Sequence, residues 1–416
     1  MRNFKTVSKN HLKPDLDIDN IDVYLPRGIE ALKKAKSNPR GFFRIFQRYE
    51  GARFFGREEY LFGLMSVIQK LAPKLSAEKI CEKITVFSVP EGYPLKKHET
   101  AMTFEGPGRL LLPNETLLCY LSVGTRFRTL AAEYKDKPWV FMGARYLLPK
   151  EELAICMAAL SEEGIIGTVK KYSDSVIGTE SHSQETLAGA YRLSSKEERV
   201  IKKYSKNNEG LTATIRATIA FANANPDVKV YVLGDYVCRS IGCAETFIAA
   251  IRACEELGIK VAGGRIDISK MDLNNEHIFD AEVKKEKVIP VLSYGTNPYI
   301  VQLTRRKLNS AGYPDFEIVA TSGIKLETID NFVCSGASFT GIGENAAYYL
   351  NKGECNFTSD CVGYWKKGIF YPMAKEGREL WRVMPSEEFE KINRQKIKNI
   401  KIHEQLEKID LINYLR

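Results

Sequence analysis

Asp227-Val-Lys-Val-Tyr-Val-Leu233 and Ile259-Lys-Val-Ala-Gly-Gly-Arg-Ile266 are two short runs of strand-forming residues, and what lies between them decides the fold. Phe247, Ile251, Cys254 and Leu257 recur at helical spacing over 244–257. Gly258 stands where a helix is normally closed. Strand, helix, strand is a βαβ unit, which makes the two strands parallel.

The alternation continues outward. Asn297-Pro298 is a cap followed by proline at the first helical position, and that helix runs to Ser310, before Gly312. Phe316-Glu-Ile-Val-Ala320 reads as a strand, Lys325–Phe332 as a short helix and Ala337-Ser-Phe-Thr-Gly341 as a last strand. Val288-Ile-Pro-Val-Leu292 is a further short strand interrupted by its proline. Upstream, 151–163 reads as a helix. Residues 135–345 are therefore expected to form a barrel-like or open parallel sheet, with the chemistry at the C-terminal strand ends.

The flanks read differently. Residues 1–20 are a polar tail. Residues 21–134 hold a helix at 27–35, a strand at Gly41–Phe46, a helix near 57–71 and a strand at Lys83–Ser88, a smaller mixed α/β domain. Residues 346–385 are a return segment. In 386–416, Lys391, Arg394, Lys396, Lys398 and Lys401 precede Ile402, Leu406 and Ile409 at helical spacing, so a basic amphipathic helix is expected.

Composition bounds the function. With 44% hydrophobic and 27% charged residues, the 416-residue chain is not intrinsically disordered. A net charge of +9 fits anionic small molecules and does not demand nucleic acid. Nine cysteines without a CxxC pair read as reduced thiols, and no metal ligand set is assigned. No apolar run is long enough for a membrane span, and the polar first residues lack a signal-peptide core, so a cytoplasmic location is expected.

Five places carry candidate chemistry. Ser322-Gly323 and Gly341-Ile-Gly343 follow strands, where glycine lets backbone N–H groups approach a phosphate, though it also serves as an ordinary turn. His182 sits in the polar Gly178-Thr-Glu-Ser-His182-Ser. Arg145, in Phe141-Met-Gly-Ala-Arg145, offers a fork for a carboxylate or phosphate, or a surface ion pair. Arg265 and Asp267 alternate onto one side of a strand, which is costly unless they are paired or serve a site. Tyr24 and Arg27, in Asp22-Val-Tyr-Leu-Pro-Arg27, supply an aromatic face and a cation.

The order of these motifs resembles the nicotinate phosphoribosyltransferases, in particular the shorter archaeal-type members. The resemblance runs from Asp22 to about Arg378. It takes in Val89-Pro-Glu-Gly92, Glu105-Gly-Pro107, Glu115-Thr116, Gly143-Ala-Arg145, Gly178-Thr179 with His182, Arg265-Ile-Asp267, the two glycine loops and Lys375-Glu-Gly377-Arg378. It implies an irregular α/β barrel beside a smaller N-terminal α/β domain, the type II phosphoribosyltransferase fold. It also implies a homodimer with shared sites. The implied reaction joins nicotinate to 5-phosphoribosyl 1-pyrophosphate (PRPP) with Mg²⁺, giving nicotinate mononucleotide and pyrophosphate for NAD biosynthesis. The resemblance makes Asp267 and Arg265 catalytic, places Tyr24, Arg27, Arg145 and Thr179 against substrate, and gives the 5′-phosphate to Ser322, Gly323, Gly341 and Gly343. His182 matches the histidine that many members phosphorylate with ATP.

The chain departs from the family at one key motif. Most members read Arg-x-Asp-Ser-Gly-Asp where this chain has Arg265-Ile-Asp267-Ile-Ser269-Lys270, with Asp272 two residues later. The stretch Ala281–Gly295 looks like an insertion, and Val232–Cys243 has no counterpart. Nicotinamide as the acceptor base, and a non-catalytic nucleotide-binding member, are the alternatives. Arg145 favours the acid, because a guanidinium gains more from a carboxylate than from an amide. Nucleic-acid binding through 391–401 is a third, disfavoured reading.

Overall fold

A computed structural model describes residues 24–142, 150–167, 193–234, 242–268, 295–343, 345, 355–373, 382–384 and 400–415. The chain divides into two compact units. One comprises Tyr134–Leu147 and Gly164–Tyr349; the other comprises Met1–Glu133, Leu148–Glu163 and Leu350–Arg416.

The unit containing 227–266 is built on six parallel strands. They are β1 (Trp139–Phe141), β2 (Ile166–Gly167), β3 (Val230–Leu233), β4 (Val261–Ile266), β5 (Glu317–Ala320) and β6 (Phe339–Ile342). Their spatial order is β2-β1-β6-β5-β4-β3. Sequence neighbours lie side by side except β2 and β3, which stand at the two edges, and β6 returns to pair with β1, with Gly341 opposite Val140. An open doubly wound sheet reverses its order partway; this one does not, and its strand order is the cyclic order of a barrel, with no pairing between the edge strands β2 and β3 among the described residues. The expected strands at 227–233, 259–266, 316–320 and 337–341 are all present, each displaced at its ends by a few residues. The proposed strand at 288–292 lies outside the described residues.

The helices form for the reasons their sequences give. Asn297 caps Pro298–Ser310 by accepting the Ile300 N–H at 3.1 Å. Ser194 and Glu197 form a reciprocal capping box at the start of Ser195–Ser205. In Cys243–Glu256, Phe247 and Cys254 are fully buried, and Gly258 follows with φ of 76°. Phe247 needs two glycines. A Cβ on Gly234 or on Gly264 would lie 2.6 Å or less from its ring. Gly264 therefore faces this helix, on the outside of the sheet. The expected helix at 325–332 is instead a 3₁₀ turn, Leu326–Thr328, leading into Ile329–Cys334.

The second unit is an antiparallel sheet in the order Ile369–Pro372, Phe357–Lys366, Arg40–Gln47, Thr100–Pro107, Thr85–Ser88, Glu407–Lys408. The helices Tyr24–Lys34, Arg57–Leu71 and Leu118–Tyr134 belong to it almost entirely. Arg44 is fully buried, with Nε on Thr100 Oγ1 at 2.6 Å, Nη2 on the His98 carbonyl and the guanidinium 4.6 Å from the Phe46 ring centre.

Two sequence expectations are corrected. The helix at Lys150–Ser161, assigned above to the 135–345 domain, belongs with the antiparallel sheet's unit, where Arg128 pairs with Glu163 at 3.1 Å. Of the tail over 386–416, residues 386–399 lie outside the described residues; the described part, 400–415, holds two short strands and a 3₁₀ turn, Leu411–Tyr414, in place of the expected amphipathic helix over Ile402, Leu406 and Ile409. Ile400–Ile402 pairs with Arg382–Met384, and Glu407–Lys408 pairs with Thr85–Ser88. The Ile409 N–H donates to the Val86 carbonyl at 2.9 Å, and Leu406, Leu411 and Leu415 are buried. Three apolar residues at helical spacing are a weak determinant. The free backbone groups of an edge strand, together with burial of the leucines, outweigh it.

Helix Arg57–Leu71 begins at Gly56, which has no side chain to cap it, and Glu91 supplies the missing acceptor to the Arg57 N–H at 2.9 Å. The other Glu91 oxygen is shut off from solvent without a hydrogen bond. Burial pushes the carboxyl up to about 8; Arg57 pulls the other way and Glu59 adds to the rise. A carboxyl whose pKa is raised on folding stabilises most below its unfolded value of about 4.3, and that contribution is lost as pH rises through about 8. Glu91→Gln keeps the acceptor and never ionises. Thermal melts should therefore show wild type losing more stability than Glu91→Gln between about pH 5 and about pH 8.5; parallel profiles would contradict this.

Candidate active site

The site is built from the C-terminal ends of β4 and β5. Because Gly264 faces outward, its neighbours Gly263 and Arg265 face the other way. Gly263 leaves room there for the Tyr231 ring, which a Cβ would meet at 2.6 Å. Arg265 is 6% exposed, so its charge must be met locally. Nε donates to Thr321 Oγ1 at 3.1 Å, and Nη2 donates to Asp267 Oδ2. The Thr321 hydroxyl donates in turn to Asp267 Oδ1 at 2.7 Å. The three side chains close a ring in which each touches the other two. The sequence argument that a charged pair on one strand face must be paired or serve a site is met here by direct pairing plus a third residue.

Strand register explains the third residue. Val319 lies opposite Arg265 in the parallel β4–β5 pair, so Thr321 falls level with Asp267. The Thr321 N–H continues the ladder to the Ile266 carbonyl at 2.8 Å. The Asp267 side chain keeps 21% exposure, against 8% for Arg265, so the carboxylate is the solvent-facing member.

The chain after Asp267 is also held. The Ile268 N–H donates to Thr296 Oγ1 at 2.9 Å, and the Thr296 N–H donates back to the Ile268 carbonyl at 3.1 Å. On the other side, Ser322 and Gly323 take φ of 79° and 68° in succession. Serine is uncommon in that region, and such residues concentrate at turns and functional sites. The following Ile324 carbonyl accepts from Asn345 Nδ2 at 2.8 Å, which ties the loop after β5 to the segment after β6.

The two glycine loops are thus brought together, but their glycines differ. A Cβ on Gly341 would lie 2.6 Å from both Met142 Sδ and Thr321 Cγ2, so Gly341 is glycine because of packing. Gly343 is half-buried at the strand end. Ser322 and Gly323 have the backbone conformation of a loop that can present N–H groups. Arg145, Thr179 and His182 lie outside the described residues. Arg27 is exposed on helix Tyr24–Lys34 of the other unit, and of Tyr24 only the backbone in that helix is described.

Thr321, Thr296 and Asn345 received no role from the sequence. Thr321 was within reach of it, because strand register alone places it beside Asp267. Thr296 and Asn345 are joined to the site by hydrogen bonds between residues distant along the chain, a relation no single-chain pattern carries.

No family model and no curated protein matches the chain. Solved structures do. The chain is similar to a nicotinate-nucleotide pyrophosphorylase from Pyrococcus furiosus, at 19% identity over 91% of this chain and 81% of that one, with a TM-score of 0.56. It is also similar to human nicotinic acid phosphoribosyltransferase, at 17% identity over 86% of this chain and 76% of that one, with a TM-score of 0.59.

Thr321→Val keeps the shape and removes the bridging hydroxyl, leaving Arg265 Nε and Asp267 Oδ1 each short of a partner. We expect a loss of about 1–3 kcal/mol, from the buried Arg265 Nε that loses its acceptor, while the Asp267 oxygen keeps access to solvent; denaturant unfolding reads it. Thr321→Ser should recover most of it. A valine variant as stable as wild type would show that the ring is not a stabilising unit. The parallel sheet in barrel strand order, the antiparallel sheet of the second unit and these structural likenesses together give the chain the type II phosphoribosyltransferase fold.

Proposed function

We propose that the chain transfers the phosphoribosyl group of PRPP to nicotinate, forming nicotinate mononucleotide and pyrophosphate. The observation that carries the reading is the Arg265–Asp267–Thr321 ring at the C-terminal ends of parallel strands, where α/β folds do their chemistry. Phosphoribosyl transfer breaks the bond between ribose C1 and a pyrophosphate oxygen and forms one between C1 and the pyridine nitrogen. Positive charge grows on the sugar and negative charge on the leaving group. A fixed carboxylate beside C1 stabilises the first without reorganising. Asp267 is fixed in this way, by Arg265 on one oxygen and Thr321 on the other. The loop at Ser322-Gly323 is the proposed seat of the 5′-phosphate, with Gly343 at the neighbouring strand end.

Mg²⁺ is the cofactor such a reaction implies, neutralising the pyrophosphate. The described residues do not form a site for it. Among them no cluster of three or more His, Cys, Asp or Glu stands in metal-binding array, and Asp267 is engaged by two neighbours. Arg145 is the proposed partner of the nicotinate carboxylate, Thr179 a further substrate contact, and Tyr24 and Arg27 the ring-stacking and cationic contacts from a second subunit of a homodimer. His182 is the proposed phosphoryl acceptor if ATP drives the reaction. No helix among the described residues is long and apolar enough to cross a membrane.

Incubation of PRPP and Mg²⁺ with nicotinate, nicotinamide or quinolinate, each with and without ATP, tests the reading. We expect mononucleotide from nicotinate. Product from nicotinamide alone would reassign the base, and binding of PRPP without product from any base would favour the non-catalytic alternative. Arg145→Ala should raise KM for nicotinate more than KM for PRPP; the reverse would move Arg145 to the phosphate end.

A further inference from the structure

We infer that Thr296 is a positioning residue for Asp267, acting through the backbone of Ile268; the inference rests on the phosphoribosyl-transfer reading above. Ile268 follows Asp267 directly and is 5% exposed. Both of its backbone polar groups are taken by one residue, 28 positions further along the chain. Its N–H donates to Thr296 Oγ1 at 2.9 Å, and its carbonyl accepts the Thr296 N–H at 3.1 Å. Thr296 is itself buried at 7%.

The clasp has a rigid support. Asn297, the next residue, caps helix Pro298–Ser310 through the Ile300 N–H at 3.1 Å, and its Nδ2 donates to the Gly295 carbonyl at 3.2 Å. The end of β4 is thereby anchored to a helix start. Asp267 is held twice, through its carboxylate by Arg265 and Thr321, and through the peptide that follows it by Thr296.

The side chain of Thr296 contributes one bond that its backbone cannot. Without Oγ1, the buried Ile268 N–H has lost its acceptor, and a backbone with an orphaned donor shifts to find another. Such a shift moves Asp267, and a displacement of about 1 Å at a reacting group costs roughly a hundredfold in rate. Ile268 offers no side-chain hydrogen bond of its own, so the Thr296 hydroxyl is what holds its N–H.

The test is steady-state kinetics on the full chain with PRPP, Mg²⁺ and nicotinate. It compares wild type, Thr296→Val, Thr296→Ser, Asp267→Asn and the Asp267→Asn/Thr296→Val double variant. Thr296→Val should lower kcat by at least about tenfold with KM for nicotinate little changed. Thr296→Ser, which keeps the acceptor, should restore most of the rate. In the Asp267→Asn background the valine substitution should cost little more, because its effect runs through that carboxylate. Should Thr296→Val fail to fold, Thr296→Ala against Thr296→Ser gives the same contrast. Unchanged kcat in Thr296→Val, or an equal loss with and without the Asp267 carboxylate, overturns this inference alone. No product from wild type with any base overturns the reading beneath it.

Discussion

A guanidinium buried against a parallel sheet must be neutralised where it stands, and Arg265 sets that requirement for the C-terminal strand ends of this unit. The arginine faces inward because the preceding Gly264 faces outward, and Gly264 is glycine because the Phe247 ring occupies the space of its Cβ. The helix–strand packing of one βαβ unit therefore decides which side of the sheet receives the charge. Asp267, two residues on, falls on the same side, and the register of the neighbouring strand brings Thr321 level with it. Packing, period and register each supply one member of the ring.

The same constraint explains why the ring is fit for chemistry. A buried ion pair contributes little net stability, because desolvation offsets the attraction. What it does supply is a carboxylate with a fixed position and some access to solvent. The loop after β5 turns through two successive residues of positive φ beside it, and Asn345 binds that loop to the segment after β6. On the proposed reading, the fixed anion would face the sugar of a sugar phosphate and the Ser322-Gly323 loop its phosphate.

Much of this was legible along the chain. The strands at 230–233, 261–266 and 317–320 and the helices at 243–256 and 298–310 were marked by β-branched runs, helical spacing, a glycine stop and an Asn-Pro start. Alternation alone put Arg265 and Asp267 on one side of the strand, leaving open whether they pair or serve a site. What was not legible depends on distance in sequence. Thr296 meets Ile268 across 28 positions, and Glu407–Lys408 completes a sheet edge begun at Thr85. The tail misled for a physical reason: Ile402, Leu406 and Ile409 fit a helix by spacing, yet a sheet edge with unmet hydrogen bonds made the stronger demand. Gly341 carried a double meaning, since a glycine that admits a phosphate and one that admits Met142 and Thr321 look the same in sequence.

The central claim is that the ring of Arg265, Asp267 and Thr321 faces the ribose during transfer. A crystal structure of the chain with bound nicotinate mononucleotide tests this most directly. The account predicts the ribose against the Asp267 carboxylate, with the 5′-phosphate on the Ser322-Gly323 loop. A mononucleotide bound away from the C-terminal ends of β4 and β5, with Asp267 contacting neither sugar nor phosphate, would contradict it.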